Sequence, residues 1–199
     1  MAQLVNEEGA TIEDEDQIKQ MVSTYMANLF KRQEETATKK EKRAKILDLI
    51  DKRVSREENN RMIEEPTAEE IGKLVRTMAR GKAPGLISKL MADHIKALIP
   101  RLDDEEQTGF VEGRNIVDNI ISLKLGQDIA EATKQATLFC KLDFVKAFDR
   151  IEHIYLWDTL EAMNFHPRFI QLLKRLIATG RSKVRVNGEL TDSFPLERG

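Results

Sequence analysis

Apolar residues recur at three- and four-residue steps along the first part of the chain, a spacing typical of amphipathic helices. The first such stretch begins at Ile12 and ends near residue 30, with Thr11 and Asp14 as its predicted caps. A charged segment, residues 31–43, is predicted to link it to a second helix at about residues 46–54. We therefore expect the amino-terminal part of the chain to be acidic and helical.

Further helices are predicted from Pro66 onward. Pro66, Thr67 and Glu70 give a start signal, with Thr67 as N-cap, for a helix that runs through Met78 to a loop at residues 81–85. The same spacing predicts helices over about residues 86–99, 116–132, 153–163 and 167–178.

Two β features are predicted between and after these helices. Residues 136–142 are short, apolar and β-prone, so we expect a buried strand that ends at Asp143 and holds Cys140 as a small core residue. Residues 183–186 alternate, Asn187-Gly188 forms a two-residue turn, and residues 189–195 return as a second strand. The chain is therefore predicted to have an α+β fold.

Composition narrows the class of protein. A net charge of −2 over 199 residues argues against coating of nucleic acid by bulk charge, so any such contact must come from local patches. A single cysteine excludes an internal disulfide and a cysteine-based zinc cluster. Neither a signal peptide nor an apolar run of about 18 residues is found, so we expect an intracellular protein, in nucleus or cytoplasm, without a membrane span.

The best candidate for a catalytic segment is residues 142–150, Leu-Asp-Phe-Val-Lys-Ala-Phe-Asp-Arg. A carboxylate where a buried strand turns into a helix, as predicted for Asp143, suits a hard divalent cation such as Mg²⁺, which prefers oxygen ligands. A strand-terminal aspartate more often caps the next helix than it binds metal. Residue types and spacing alone leave both interpretations open.

Residues 143–149 resemble the first catalytic motif of LINE-type (non-LTR retrotransposon) reverse transcriptases, in which a strand-end aspartate precedes Lys-Ala-Phe-Asp. Flanking segments follow the order of that family, from about residue 67 to residue 199. They are Gly81–Gly85, which resembles the loop leading into the fingers, then Gln107–Phe110, Gly113-Arg114 and Asp118-Asn119 upstream, and Val186–Gly188 and Glu197–Gly199 downstream.

The resemblance implies a domain plan. Residues 1–66 would form a helical N-terminal extension, and residues 67–199 a partial fingers region with the first half of a right-hand polymerase palm. It also implies RNA-directed DNA synthesis, with an RNA template, a DNA primer, deoxynucleoside triphosphates and Mg²⁺.

Roles for single residues follow from the same resemblance. Asp143 matches the catalytic carboxylate that binds the magnesium ions, and the main-chain carbonyl of Phe144 matches a second ligand. Phe148 matches the steric gate, the aromatic ring that lies under the sugar of the incoming nucleotide and excludes a 2′-hydroxyl. Asp149 would tie the following helix to the palm.

Two further groups are candidates for nucleic-acid contact. Gln107, Gly109, Phe110, Gly113 and Arg114 match a segment that follows the template backbone, although two glycines would also serve an ordinary loop. From residue 168 onward, cations outnumber anions by seven to three, and they either contact phosphates or form a solvated face. These cations are Arg168, Lys174, Arg175, Arg181, Lys183, Arg185 and Arg198.

The sequence departs from the family in two places. The family completes its metal site with a later pair of aspartates, which these 199 residues do not contain, and Gly85 joins Leu86 without the basic fingers segment. We therefore expect a truncated copy, inactive in this form. The alternative is a non-catalytic remnant that retains at most weak RNA binding.

Overall fold

The computed structural model describes residues 4–5, 9, 11–77 and 85–199. These residues form two compact units. The first combines the described residues up to Leu49 with Phe144–Ala162 and Pro167–Gly199, and the second combines Ile50–Asp143 with Met163–His166. The domain boundary expected after residue 66 stays a prediction.

Helices dominate the described residues, and the strands are two residues long. The helices are α1 Glu15–Phe30, α2 Ala37–Leu47, α3 Arg56–Ile63, α4 Ala68–Thr77, α5 Leu86–Leu102, α6 Ile116–Thr133, α7 His153–Ala162 and α8 Pro167–Ala178. The strands are β1 Leu4–Val5, β2 Thr11–Ile12, β3 Arg181–Ser182, β4 Arg185–Val186, β5 Glu189–Leu190 and β6 Phe194–Pro195. This mixture agrees with the predicted α+β class.

Helix α1 opens the first unit and is capped by Asp14, whose carboxylate accepts the main-chain N–H of Gln17 at 2.9 Å. Thr11 is not a cap, because it lies in β2 and pairs with Val5. The buried face of α1 includes Ile18 and Leu29. The cap satisfies an otherwise open N–H group of the first turn.

The second helix differs from its prediction. Helix α2 begins after Thr36, whose hydroxyl accepts the N–H of Lys39, and ends at Leu47. Most of the segment predicted as a charged linker is therefore helical. Val54, predicted to lie in this helix, follows it and is almost fully buried in the second unit.

The rest of the first unit is built from α7, α8 and the short strands. Helix α8 has the predicted bounds and buries Phe169 and Ile170, and it packs against α7. Helix α1 contacts β6, where Phe30 stacks on Phe194 with ring centroids 6.2 Å apart. These apolar contacts form the core of the unit.

The predicted hairpin is present. Strands β4 and β5 pair antiparallel, and both turn residues between them, Asn187 and Gly188, have positive φ, as a two-residue hairpin turn requires. The return segment is not one strand, because β5 and β6 are separate and β6 pairs with β3.

Helices α3, α4 and α5 form the packed part of the second unit, with α5 contacting both of the others. Thr67 accepts the N–H of Glu70 at 3.2 Å, which confirms it as the cap of α4. Gly85 precedes α5, whereas Met78 and the predicted loop residues 81–84 lie outside the described residues. The buried apolar residues of this unit are Val54, Met62, Leu74, Met91, Leu98, Leu102, Val111 and Phe165.

The predicted buried strand at residues 136–142 is wrong. This segment is exposed, and no strand among the described residues pairs with it. Cys140 is exposed as well, so it is not a core residue of this structure. Strand propensity reflects packing and pairing with neighbours, which this segment lacks here.

No helix within the described ranges is both long enough and apolar enough to span a bilayer.

Candidate functional site

The motif that begins at Asp143 is divided between the two units, so each part is described with its own unit. Asp143 ends the second unit, at the close of the exposed segment that follows α6. Within this unit, the ring of Phe139 lies against Gly126 of α6, where an added Cβ would be 3.6 Å from it. The Asp143 side chain is exposed to solvent.

In the first unit, the motif continues as a turn at residues 145–147 and a single 3₁₀ turn, Phe148–Arg150. Lys146 has a φ of 53°, in the left-handed region that side chains rarely adopt. Phe144 and Phe148 are 74% and 67% exposed. The ring predicted to select the nucleotide sugar therefore lies at the surface of this unit.

Tyr25 of α1 holds the turn in place. The Lys146 ammonium donates a hydrogen bond to the Tyr25 hydroxyl at 2.5 Å and lies 4.6 Å from the centre of its ring. Such a cation–π contact stabilises a fixed orientation of the lysine. Tyr25 was not predicted as a site residue, because nothing in its helical spacing distinguishes it from a packing residue.

The segment after Phe148 is held by the last residues of the chain. The Gly199 N–H donates to the Ile151 carbonyl at 2.9 Å, and Glu152 pairs with Arg198 as an isolated antiparallel bridge. A Cβ on Gly199 would lie 3.2 Å from the Asp149 Cα, so these two segments of the main chain approach closely. The position of the 3₁₀ turn therefore depends on Arg198 and Gly199.

Arg198 connects this segment to α1. Its Nε donates to the Leu29 carbonyl at 2.7 Å, and its guanidinium lies 3.4 Å from the Glu152 carboxylate. The side chain is buried, whereas the sequence analysis placed it among cations able to contact phosphates. Its hydrogen bonds identify it as a structural residue.

The described residues do not supply a complete cluster of metal-binding side chains. No group of three or more histidine, cysteine, aspartate or glutamate side chains converges among them. Asp143 is one carboxylate, and Mg²⁺ commonly takes one or two carboxylates with waters and substrate phosphates. The residues present do not fit the complete ion site of the resemblance, and we derive no step through it.

The five residues predicted to follow the template lie in one loop, between α5 and α6 of the second unit. Gln107 donates from its amide to the Gly109 carbonyl at 3.1 Å. Phe110 has a φ of 62° and is 94% exposed, and Gly113 also has positive φ. The loop is thus a turn that presents an aromatic ring to solvent beside a buried Val111.

The side chain of Arg114, the last of the five residues, is held by main-chain carbonyls of its own unit. Its guanidinium donates to main-chain carbonyls at the end of α5 and in the loop, including Pro100 at 2.9 Å and Gln107 at 2.6 Å. The last carbonyls of a helix have no partner within the helix, so a cation there stabilises it. In this structure Arg114 shapes the loop.

Charged pairs perturb several ionisable groups. A hydrogen bond from Lys19 lowers the pKa of Glu189, and the same bond raises the pKa of Lys19. The main-chain N–H of Ser55 donates to Glu58 and, with the nearby Arg101 guanidinium, holds the pKa of that carboxyl below its usual range. None of these groups belongs to the residues 143–150.

Comparison with known proteins identifies the class. Residues 85–199 match the family described as reverse transcriptase (RNA-dependent DNA polymerase). This is more than half of the chain, so the chain belongs to the reverse transcriptase family.

A second comparison concerns the type of reverse transcriptase. A relative, the transposon TX1 uncharacterized 149 kDa protein of Xenopus laevis, is 32% identical over 114 residues, which are 57% of this chain. The match covers 9% of that relative. The family match confirms a reverse transcriptase domain, and the transposon relative supports the predicted non-LTR, LINE type.

Proposed function

We propose that this chain supplies the first catalytic carboxylate, Asp143, and the sugar-selecting ring, Phe148, of an RNA-directed DNA polymerase. The supporting observation is the motif at residues 143–149, which lies inside the family match. The exposed ring of Phe148 follows a turn that Tyr25 fixes from one side. An exposed ring on an anchored turn is able to contact a substrate.

The reaction is nucleotidyl transfer. The 3′-hydroxyl of a DNA primer gives up its proton to solvent, and its oxygen forms a bond to the α-phosphorus of a deoxynucleoside triphosphate. The bond between that phosphorus and the oxygen that bridges it to the β-phosphate breaks, and pyrophosphate leaves. An RNA template selects the nucleotide. The family is generally dependent on a divalent metal, and we propose Mg²⁺, with Asp143 and the Phe144 carbonyl as two of its ligands. The remaining ligands come from outside the described residues.

Phe148 would select the sugar by steric exclusion of a 2′-hydroxyl. A planar ring against the sugar leaves no room for a 2′-hydroxyl, so ribonucleotides bind in a strained position while deoxynucleotides fit. The Gln107–Arg114 loop would lie along the template, with Phe110 presented to a base or sugar. Because Arg114 is held by main-chain carbonyls, we assign the direct contact to Phe110 and the shaping of the loop to Arg114.

The test uses a complete LINE-type reverse transcriptase in which residues 85–199 of this chain replace the matching segment. Phe148→Val is compared with the unchanged hybrid and with Phe139→Val, which alters an aromatic outside the motif. We expect Phe148→Val to retain extension with deoxynucleotides and to gain extension with ribonucleotides by at least about tenfold, roughly 1.4 kcal/mol of lost discrimination. Unchanged sugar selectivity beside an active hybrid would contradict the role of Phe148.

The non-catalytic remnant is not favoured by the comparisons. A hybrid that folds and binds primer–template but never extends it would support that alternative.

A further inference from the structure

Tyr25 and Lys146 join α1 to the turn that precedes Phe148, and all three residues belong to the first unit. The Lys146 ammonium donates to the Tyr25 hydroxyl at 2.5 Å and lies 4.6 Å from the centre of its ring. Hydroxyl and ring therefore hold the same lysine. Phe148 is two residues further along the chain, so a shift of Lys146 moves the ring that is proposed to select the sugar.

The main chain of Lys146 has a conformation that needs support. Its φ of 53° lies in the left-handed region, where the Cβ of an L-residue approaches the following carbonyl oxygen. A non-glycine residue stays in such a region where the surrounding contacts determine its conformation. The contact with Tyr25 holds the side chain of this same residue, and it therefore favours the turn over relaxed alternatives.

The hydrogen bonds within the 3₁₀ turn that carries Phe148 are long. The N–H of Arg150 donates to the Ala147 carbonyl at 3.4 Å, and the N–H of Ile151 donates to the Phe148 carbonyl at 3.5 Å. Such bonds usually measure about 2.7–3.2 Å, so these two restrain the turn weakly. Contacts on either side must therefore fix its position. Residues 198–199 hold the turn from one side, and the lysine contact with α1 holds it from the other.

We propose that Tyr25 is a positioning residue for sugar selection: through Lys146 it fixes the turn on which the Phe148 ring stands. This inference rests on the proposed function, because it concerns the same nucleotide site. A ring that excludes a 2′-hydroxyl must keep its place within about 0.5 Å. Without the contact to Tyr25, the ring yields to a ribonucleotide, whereas a deoxynucleotide fits either position.

The anchoring of the turn is measured first, on the full chain without nucleotides. NMR gives the rates at which the N–H groups of Arg150 and Ile151 exchange with water, and these rates report opening of the turn. Tyr25→Leu removes ring and hydroxyl and should raise both rates by about two- to fivefold, the factor that corresponds to an exposed cation–π contact. Tyr25→Phe keeps the ring and should raise them less. Tyr155→Leu, the same change at an exposed tyrosine of α7, is the control and should leave them unchanged.

Sugar selection is measured next, in a hybrid in which residues 1–199 of this chain replace the corresponding region of a complete LINE-type reverse transcriptase. The readout is kcat/KM for a deoxynucleotide divided by kcat/KM for the matching ribonucleotide. Tyr25→Leu should lower this ratio about two- to fivefold through a lower KM for the ribonucleotide, with kcat for the deoxynucleotide nearly unchanged. A variant that only loses stability would lower both kcat values equally and leave the ratio unchanged.

A double variant tests whether Tyr25 acts through Phe148. A positioning residue has no further effect once the ring that it positions is gone, so Phe148→Val alone and together with Tyr25→Leu should give the same ratio. Losses that add in the double variant would overturn the proposal. So would a Tyr25→Leu hybrid that discriminates between the two sugars like the unchanged hybrid.

Failure of this inference and failure of the proposed function give different results. If Phe148→Val changes the ratio while Tyr25→Leu changes neither the ratio nor the exchange rates, the positioning role is contradicted and the proposed function stands. If Phe148→Val leaves the ratio unchanged, the proposed role of Phe148 is contradicted, and the exchange rates alone decide whether Tyr25 anchors the turn. Faster exchange in Tyr25→Leu would then support the anchor, and unchanged exchange would contradict it.

Discussion

The Nε of Arg198 lies 2.7 Å from the main-chain oxygen of Leu29, in the last turn of α1. The adjacent Phe30 carbonyl accepts the N–H of Glu197 at 3.0 Å. Two carbonyls that the helix leaves open at its end are thus satisfied by residues far along the chain. The segment after Phe148 and the end of α1 therefore stabilise each other.

Arg198→Ala should lower the free energy of unfolding by roughly 2 kcal/mol, because it leaves the Leu29 carbonyl without its donor in a buried position. Urea denaturation followed by circular dichroism measures the change. Arg175→Ala, which removes an exposed arginine from α8, is the control and should change stability by less than about 0.5 kcal/mol. Equal effects of the two substitutions would contradict the structural role of Arg198.

Asn59 is a buried amide that connects α3 to the Met163–His166 segment of the second unit. Its Nδ2 donates to the Asn164 carbonyl, and its Oδ1 accepts the His166 N–H, both at 2.7 Å. Asn59→Ala should lower the free energy of unfolding by about 2–3 kcal/mol, because both main-chain partners lose their hydrogen bond in a buried environment. Urea denaturation is the measurement, and Asn60→Ala, an exposed neighbour in the same helix, should stay within about 0.5 kcal/mol. A similar loss from both variants would show that helix propensity, and not the buried amide, sets the cost.

Glu58 and Ser55 form a capping box, in which each side chain accepts the other residue's main-chain N–H. The pKa of Glu58 is lowered, so its contribution to stability is present above the unfolded-state pKa and is lost as pH falls through the folded-state pKa. Glu58→Gln should therefore lower the free energy of unfolding by about 0.5–2 kcal/mol near pH 7. Below about pH 4.5 the difference should become progressively smaller. Thermal melts of both proteins at a series of pH values measure this difference.

Glu57→Gln is the matched control for Glu58, since both residues lie in the first turn of α3. It leaves the Glu58 carboxylate and its bonds to Ser55 and Arg101 unchanged, so stability at pH 7 should be less affected than in Glu58→Gln. A stability difference between Glu58→Gln and the unchanged chain that stays constant from pH 3 to pH 7 would show that the carboxylate charge has no part in it.

Helices with a clear apolar period were predictable from sequence, and α8 was found with its predicted bounds. Their ends were predictable where a cap was recognised, as at Thr67. Helix α3 was missed although Ser55-Arg56-Glu57-Glu58 has the capping-box pattern, because the short helix offers little apolar periodicity. The prediction of a strand at residues 136–142 was wrong for the opposite reason. Its composition suits a strand, but a strand exists only with a paired neighbour.

The residues of the candidate site were recognisable from the sequence motif, but the contacts that hold them in place were not. Residue types identified Asp143 and Phe148 through resemblance, and the roles of both remain predictions. The supports of the 3₁₀ turn, Tyr25 and Arg198, lie more than 40 residues away in sequence, where no local pattern marks them. Arg114 was expected to lie in a segment that follows the template backbone, and the carbonyls that hold its side chain are visible only in the folded loop.

The most direct test of the proposed function is primer extension on an RNA template by the hybrid polymerase that contains residues 85–199. Asp143→Asn removes one charge with little change in shape, and Asp192→Asn makes the same change at an exposed aspartate outside the motif. The account predicts that Asp143→Asn lowers extension by at least about 100-fold while Asp192→Asn retains it, because only Asp143 is assigned to catalysis. Extension that survives Asp143→Asn at the level of Asp192→Asn would contradict the account.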